Sequence, residues 1–173
     1  MNHPPQITNA PGSYTILAGR TLTLTNSATD PDQPAQALTW NLLAPPTGAA
    51  INSGNGIFSW RPAIAQSPAT NIISLQVSDN GTPAMSATQS FTVTIQQPQI
   101  PALGTAALSN NLFSFQISGD AGPDYVVETS TNLAADSAWL PVITNLSATP
   151  PYSWTDPVTM AAGQKFFRVR LEP

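Results

Sequence analysis

Short runs in which apolar and polar residues alternate occur along the whole chain, separated by Pro, Gly and Asn. In residues 21–26, Leu22 and Leu24 point one way and the threonines between them point the other, as the two-residue period of a β-strand requires. Further candidate strands of the first half are residues 6–8, 13–17, 37–43, 49–51, 57–60, 72–78 and 90–95. Helical patterns are almost absent, because the Ala-rich pieces are too short to sustain turns. This spacing predicts an all-β sandwich.

Alternation stops at residues 96–101, where Pro98 and Pro101 predict a stiff, extended linker. Beyond it, candidate strands return at residues 112–117, 125–129, 138–144, 152–155 and 165–171. We therefore predict two β-sandwiches in tandem, the first over residues 1–97 and a second, smaller one over 102–173, joined by a linker at 98–101. The two halves show no self-similarity, so the chain is not a repeat array.

The composition favours an extracellular protein. Charged residues make up only 8% of the 173 residues, against about 25% in an average soluble domain. The absence of Cys excludes disulfides, thiolate metal sites and Cys nucleophiles. A net charge of −4 with five basic residues argues against nucleic-acid binding. No apolar run is long enough for a membrane span and no signal peptide is recognisable, so secretion would need a signal upstream of this segment.

Two acidic stretches each follow a predicted strand. Asp30-Pro31-Asp32 follows the third candidate strand, and Asp79 opens the turn at residues 77–83 between the last two strands of the first sandwich. We expect the two stretches to meet in space and to form the most distinctive chemical site of the chain. Ordinary turn chemistry also explains both stretches, because Asp accepts hydrogen bonds from backbone N–H groups two residues on.

Four segments of the first half occur in a fixed order: residues 2–7, residues 28–32 with 38–40, residues 46–49 with 56–62, and residues 77–83. Together they resemble the cadherin-like and Ig-like modules that occur in tandem in bacterial surface and secreted proteins. The resemblance covers residues 2–97 and implies an immunoglobulin/cadherin-like Greek key. Residues 102–173 resemble C-terminal β-modules of secreted multidomain bacterial proteins through residues 125–133, 139–140 and 166–170, and we expect a smaller Ig- or fibronectin-III-like sandwich there.

The resemblance to cadherin-like modules implies calcium at one pole of the first sandwich, held by Asp30, Asp32, Asp79 and Asn2. Calcium takes six to eight oxygen ligands, which these side chains offer, whereas zinc would need more than the sole His3. In cadherins the ion is shared with the preceding module. We therefore expect a half-site here, with a dissociation constant of about 10⁻⁴ to 10⁻³ M or weaker.

The aromatic and basic side chains suggest further roles. Trp40 and Trp60 occupy predicted core positions, while Trp154 is the best candidate for an exposed ring that stacks on a sugar. Arg168 and Arg170 lie on one face of the last strand, where we expect their charges to be spread along an exposed edge. A Ser-His-Asp triad would need His3 in a frayed terminus, and no phosphate-binding glycine loop is present.

These observations favour a non-catalytic structural and adhesion unit of a larger secreted or cell-surface bacterial protein, stiffened by calcium at the pole of its first module. Its expected partners are an upstream module of the same polypeptide and a protein or glycan ligand on a surface. One alternative is an accessory carbohydrate-binding unit of a polysaccharide-degrading enzyme. Another is a C-terminal appendage of an enzyme that serves folding or secretion.

Overall fold

A computed structural model of the chain describes residues 1–9, 12–134, 139–157 and 163–172. The chain divides into two compact units. Residues 1–16 and 21–96 form the first unit, and residues 17–20 with the chain from 97 onward form the second. Over the described ranges the structure is almost entirely β, with one short 3₁₀ turn at Ile64–Gln66. In those same ranges no helix has the length and apolarity needed to cross a lipid bilayer.

Strands of the first unit form two main sheets. In chain order they are β1 (Gln6–Ile7), β2 (Tyr14–Leu17), β3 (Leu22–Thr25), β4 (Ala28–Thr29), β5 (Thr39–Leu43), β6 (Ala50–Ile51), β7 (Ile57–Trp60), β8 (Ala69–Ser78) and β9 (Ser86–Gln96). One sheet has the strand order β2-β9-β8-β5 and the other has β3-β7-β6. The short strands β1 and β4 pair with each other, with Gln6 opposite Thr29.

The core of the first unit lies between these two sheets. Phe58 on β7 meets Phe91 on β9 edge to face, with ring centroids 5.6 Å apart. Trp40 and Trp60 are buried, at 6% and 1% exposure, which confirms their predicted core positions. Burying such large aromatic side chains on both inner faces is what holds a sandwich without disulfides together.

The hairpin of β8 and β9 is the longest antiparallel pair of the first unit. Its register runs from Ala69 opposite Ile95 to Ser78 opposite Ser86, so the turn predicted at residues 77–83 is confirmed. Both strands begin earlier than the alternation indicated. The added positions carry mostly small or polar residues that bury little surface, and their backbone pairing is invisible to a hydrophobic pattern.

The second unit is a sandwich of two three-stranded sheets. Its strands are β10 (Ala102–Ser109), β11 (Leu112–Ser118), β12 (Asp124–Ser130), β13 (Leu140–Asn145), β14 (Tyr152–Pro157) and β15 (Phe166–Glu172). The sheets have the orders β10-β11-β14 and β13-β12-β15. Phe115 on β11 packs against Phe167 on β15 with ring centroids 5.5 Å apart. The fold class predicted from the sequence, two all-β sandwiches in tandem, is thus confirmed.

One expectation about the second unit is wrong. Arg168 and Arg170 do not spread their charges along an edge, because both donate to the buried carboxylate of Glu128 at 2.6 and 2.9 Å. Trp154, the best candidate for an exposed ring, is half-buried against Phe115 and Phe167. Residue 138, where the predicted strand 138–144 began, lies outside the described residues.

Candidate functional site

Three segments of the first unit meet at one end of the sandwich. The pairing of β1 with β4 places the N-terminal segment beside the loop that follows β4. The loop between β8 and β9 lies at the same end, because β5, which follows the first loop, pairs with the end of β8 (Thr39 opposite Ser78). We call this end the polar pole and define it by the residues Asn2, His3, Asp30, Asp32, Gln36, Asp79 and Asn80.

Asp79 is the most buried acid of the polar pole, at 6% exposure. Its Oδ1 accepts hydrogen bonds from the backbone N–H groups of Gly81 and Met85, both at 2.9 Å. Its Oδ2 accepts the side-chain amide of Asn2 at 3.1 Å. Burial raises the pKa of Asp79, but these three hydrogen bonds outweigh burial and hold the pKa below its usual value. Asp79 is therefore a carboxylate at neutral pH.

Asp32 is bonded to the N-terminal segment through both of its oxygens. Its Oδ1 lies 2.6 Å from His3 Nδ1, and its Oδ2 accepts the His3 backbone N–H at 2.7 Å. The side-chain amide of Gln36 also donates to Oδ2, at 3.2 Å. The side-chain and backbone hydrogen bonds of His3 lower the pKa of Asp32. A second negative charge thus lies close to Asp79.

Asp30 stands at the inner end of the same loop. Its Oδ1 accepts the backbone N–H of Asp32 at 2.9 Å, which is the turn chemistry expected of an Asp two residues before its donor. Its other oxygen, Oδ2, is buried and has no hydrogen-bond partner in the protein, and the same holds for Oε1 of Gln36. Buried acceptors without partners are rare in folded proteins.

The structure joins the predicted site residues into one network. Asn2 and Asp79 are bonded directly, Gln36 links Asn2 to Asp32, and Asp30 is bonded to the Asp32 backbone. Sequence reasoning missed His3, which it assigned to a frayed terminus. It also missed Gln36, and Asn80, whose Oδ1 accepts the backbone N–H of Ala37 at 2.9 Å. No local motif marks Gln36, whereas His3 is adjacent to the predicted ligand Asn2.

The polar pole offers the type of atom that binds calcium, but its carboxylates do not converge on one point. Every predicted ligand offers oxygen, the atom that this ion prefers, and the partnerless oxygens of Asp30 and Gln36 are both acceptors. Over the described part of the chain, no three side chains drawn from His, Cys, Asp and Glu converge closely enough to bind one metal ion. An ion at this pole would therefore depend on amide and carbonyl oxygens beside the carboxylates.

Three solved structures share a partial likeness with the chain. The protocadherin GammaB4 extracellular domain is 20% identical, with 62% of this chain and 19% of that one covered and a TM-score of 0.46. Human CDH23 EC21-23 is 21% identical, with 68% and 46% covered and a TM-score of 0.44. A nucleoside hydrolase-related hypothetical protein from Saccharophagus degradans is 22% identical, with 55% and 26% covered and a TM-score of 0.43. The chain spans less than half the length of each of these three.

The class of protein follows from the fold and the family together. The chain is a pair of all-β sandwiches, and the family described as bacterial Ig domain matches its residues 2–99, more than half of its length. The chain belongs to the bacterial Ig domain family. The cadherin-like, Ig-like resemblance of residues 2–97 is thereby confirmed. No curated protein shows significant sequence similarity to the chain.

Proposed function

We propose that the chain is a non-catalytic structural and adhesion unit of a larger secreted or cell-surface bacterial protein. Its task is to carry load and to set spacing between a neighbouring module and a surface ligand. Membership of the bacterial Ig domain family supports this role, and so does the uncharged, polar surface composition, with only 8% charged residues.

One observation carries the proposal: the N-terminal segment is bonded to the sandwich at the polar pole. Asn2 donates to Asp79 and to the Pro83 carbonyl, and His3 bonds to Asp32 through both its backbone and its ring. Force entering through residue 2 therefore passes into two loops of the first unit. A spacer needs such an attachment, because a frayed terminus would transmit neither force nor orientation.

The finer proposal is that calcium binds at the polar pole. Asp30, Asp32, Asp79 and Asn2 would hold the ion, with Gln36 adding an oxygen. Since the three carboxylates do not converge on one point in this structure, binding would have to draw them closer together. The positive charge of the ion would then strengthen the joint between the N-terminal segment and the two loops. At a calcium concentration of about ten times the dissociation constant, the gain is about 1.4 kcal/mol.

Calcium titration tests this finer proposal. We expect about 10 mM CaCl₂ to raise the melting temperature of the first unit and to release or absorb measurable heat in calorimetry, since this concentration is about ten times the weakest dissociation constant typical of extracellular modules, about 10⁻³ M. Asp30→Asn should abolish both effects, whereas the matched substitution Asp120→Asn in the second unit should leave them unchanged. Equal melting temperatures in CaCl₂, MgCl₂ and EDTA, with no heat, would reject calcium binding.

Single-molecule force spectroscopy tests the structural role itself. With the chain held at its two ends, the first unit should unfold in one step that includes residues 2–8. If those residues instead peel away in a separate step at much lower force, the attachment does not carry load and the proposed role is wrong. The measurement needs no calcium and stands apart from the titration.

A second candidate function is glycan binding, which an aromatic cavity in the second unit favours. The cavity has a volume of about 370 Å³ and contains Phe113, Phe115 and Phe167 in its lining, with Lys165 beside them. Sugar rings stack on aromatic faces, and the half-buried Phe113 and Phe167 would have to provide them, because Phe115 is only 3% exposed. Affinity electrophoresis in gels that contain soluble polysaccharides should retard the chain and not its Phe113→Ala variant. Unretarded migration on every polysaccharide would exclude this alternative.

A further inference from the structure

The amide of Asn2 can face its neighbours in only one orientation. Its Nδ2 lies 3.1 Å from Asp79 Oδ2 and 2.8 Å from the Pro83 carbonyl oxygen. An ionised carboxylate and a carbonyl accept hydrogen bonds and cannot donate them. The nitrogen of Asn2 must therefore point at this pair, and its oxygen must point away.

The orientation of Asn2 fixes that of Gln36 in turn. Asn2 Oδ1 lies 2.6 Å from Gln36 Nε2, which also lies 3.2 Å from Asp32 Oδ2. Both neighbours are acceptors, so Gln36 must present its nitrogen to them. The result is a directed chain of donors from Gln36 to Asn2, with one carboxylate at each end.

Gly81 leaves space for the Asn2 amide in this series of hydrogen bonds. A Cβ at residue 81 would overlap the side-chain amide of Asn2, with Oδ1, Cγ and Nδ2 as its nearest atoms. The backbone N–H of Gly81 donates to Asp79 at 2.9 Å. The same residue therefore makes room for the Asn2 amide and helps to hold the carboxylate that the amide bonds.

We infer that the polar pole is a metal-independent latch. All four carboxylate oxygens of Asp32 and Asp79 accept hydrogen bonds from the protein. Those of Asp32 accept from His3 and Gln36. Those of Asp79 accept from the side chain of Asn2 and from the backbone N–H groups of Gly81 and Met85. The N-terminal segment is therefore fixed to the sandwich by the chain itself. The latch does not depend on calcium, and it predicts that the segment stays attached when calcium is removed.

A pair of Gln→Glu substitutions in EDTA tests the latch. Gln36→Glu replaces the shared donor with an acceptor beside Asp32, whereas Gln33→Glu adds the same charge at an exposed position of the same loop. We expect hydrogen exchange of the peptide containing Gln6 and Ile7 to speed up about tenfold or more in Gln36→Glu, since hydrogen bonds to charged groups are lost. Gln33→Glu should exchange like the wild type. Equal exchange in both variants would overturn the inference.

Asn2→Asp separates the latch from calcium binding. The new carboxylate faces Asp79 and the Pro83 carbonyl without a donor, so in EDTA the N-terminal peptide should lose its protection about as much as in Gln36→Glu. Protection that stays at the wild-type level would count against the latch. Recovery of protection in millimolar calcium supports the calcium proposal, and failure to recover rejects that proposal alone.

Discussion

At the scale of the residue, Glu128 organises one face of a sheet. It is 5% exposed on the central strand β12, and the last strand, β15, supplies both of its arginine partners. Burial raises the pKa of Glu128, but the hydrogen bonds from Arg170 and Arg168 outweigh it and hold the pKa below its usual value. Arg168 also lies over the Trp139 ring, 4.4 Å from its centroid. A buried charge is tolerated here because it is paired and hydrogen-bonded.

Two Glu→Gln substitutions compare a buried with an exposed ion pair. Glu128→Gln places an amide among guanidinium donors in a buried site, and we expect it to lower the free energy of unfolding by about 1–3 kcal/mol. Glu172→Gln breaks only the 3.4 Å bridge to Arg170, where both side chains are about 40% exposed, and it should cost less than about 1 kcal/mol. Urea unfolding of the second unit measures both, and similar losses for the two variants would contradict the special role of Glu128.

A second prediction at this scale concerns two nearby glycines of one hairpin. Gly56 has a φ of 69°, and a Cβ there would lie 2.8 Å from the Asn26 carbonyl oxygen and from Trp40 Nε1. Gly56→Ala should therefore lose about 2 kcal/mol or more of stability. At Gly54 a Cβ would meet Asn52 Oδ1 at an ordinary 3.7 Å, so Gly54→Ala should be nearly neutral. Thermal melting of the first unit distinguishes the two, and equal melting temperatures would show that the close approach to Trp40 is not limiting.

At the scale of the element, β8 shows the two-residue period in its burial. Ile73, Leu75 and Val77 point into the core at 1%, 0% and 0% exposure, while Ile72 beside them is 70% exposed. The strand thus carries an apolar residue on its solvent face as well. The number of apolar residues in β8 alone would not identify its core-facing side. The alternation of its residues and its pairing with β5 and β9 do identify it.

The neighbouring isoleucines of β8 give a matched test of this orientation. Ile73→Ala should lower the free energy of unfolding by about 2–5 kcal/mol, because it leaves a cavity in the core. Ile72→Ala removes the same atoms from the surface and should change stability by no more than about 0.5 kcal/mol. Chemical denaturation of the first unit measures both values. A larger loss for Ile72→Ala would mean that the strand is shifted by one residue.

Elements without a hydrophobic pattern are the ones that the sequence could not predict. Strand β10 is exposed along its whole length, so it carries no alternation, and β4 is only two residues long. The role of Gln36 in the site could not be predicted either, because it comes from hydrogen bonds to Asn2 and Asp32 and no sequence motif marks the residue. The positions of Asp30, Asp32 and Asp79 could be predicted because strand ends and turn residues mark them.

At the scale of the whole molecule, acid should destabilise both units. Asp32, Asp79 and Glu128 all have pKa values below their usual range, the usual values being about 3.9 for Asp and 4.3 for Glu. Groups with lowered pKa values stabilise the fold fully above the usual value, and this contribution is lost as the pH falls through the folded value. We expect melting temperatures to change little between about pH 7 and 5 through these groups and to fall below about pH 4. A melting temperature that holds or rises below that pH would contradict this assignment.

The two cores explain why so much of the architecture could be predicted. Large apolar residues at alternate positions, such as Trp40, Trp60 and Phe115, must be buried, and only two facing sheets can bury them in short strands. Partners that are distant in sequence could not be predicted. Glu128 and Arg168 are 40 residues apart, and only the register of β12 against β15 places them opposite each other.

The first unit contains two Asn-Gly dipeptides, at residues 55–56 and 80–81, and their hydrogen bonds affect how fast the two asparagines deamidate. Asn-Gly is the dipeptide most prone to deamidation, which begins when the glycine nitrogen attacks the asparagine side chain. In the fold, the Gly56 N–H donates to the Asn52 carbonyl at 2.9 Å and the Gly81 N–H donates to Asp79 at 2.9 Å. The hydrogen bond of each glycine N–H directs the nitrogen toward an acceptor other than the neighbouring asparagine side chain. The attack that would form the cyclic imide is therefore disfavoured at both dipeptides. The folded chain should therefore keep both amides far longer than the unfolded chain.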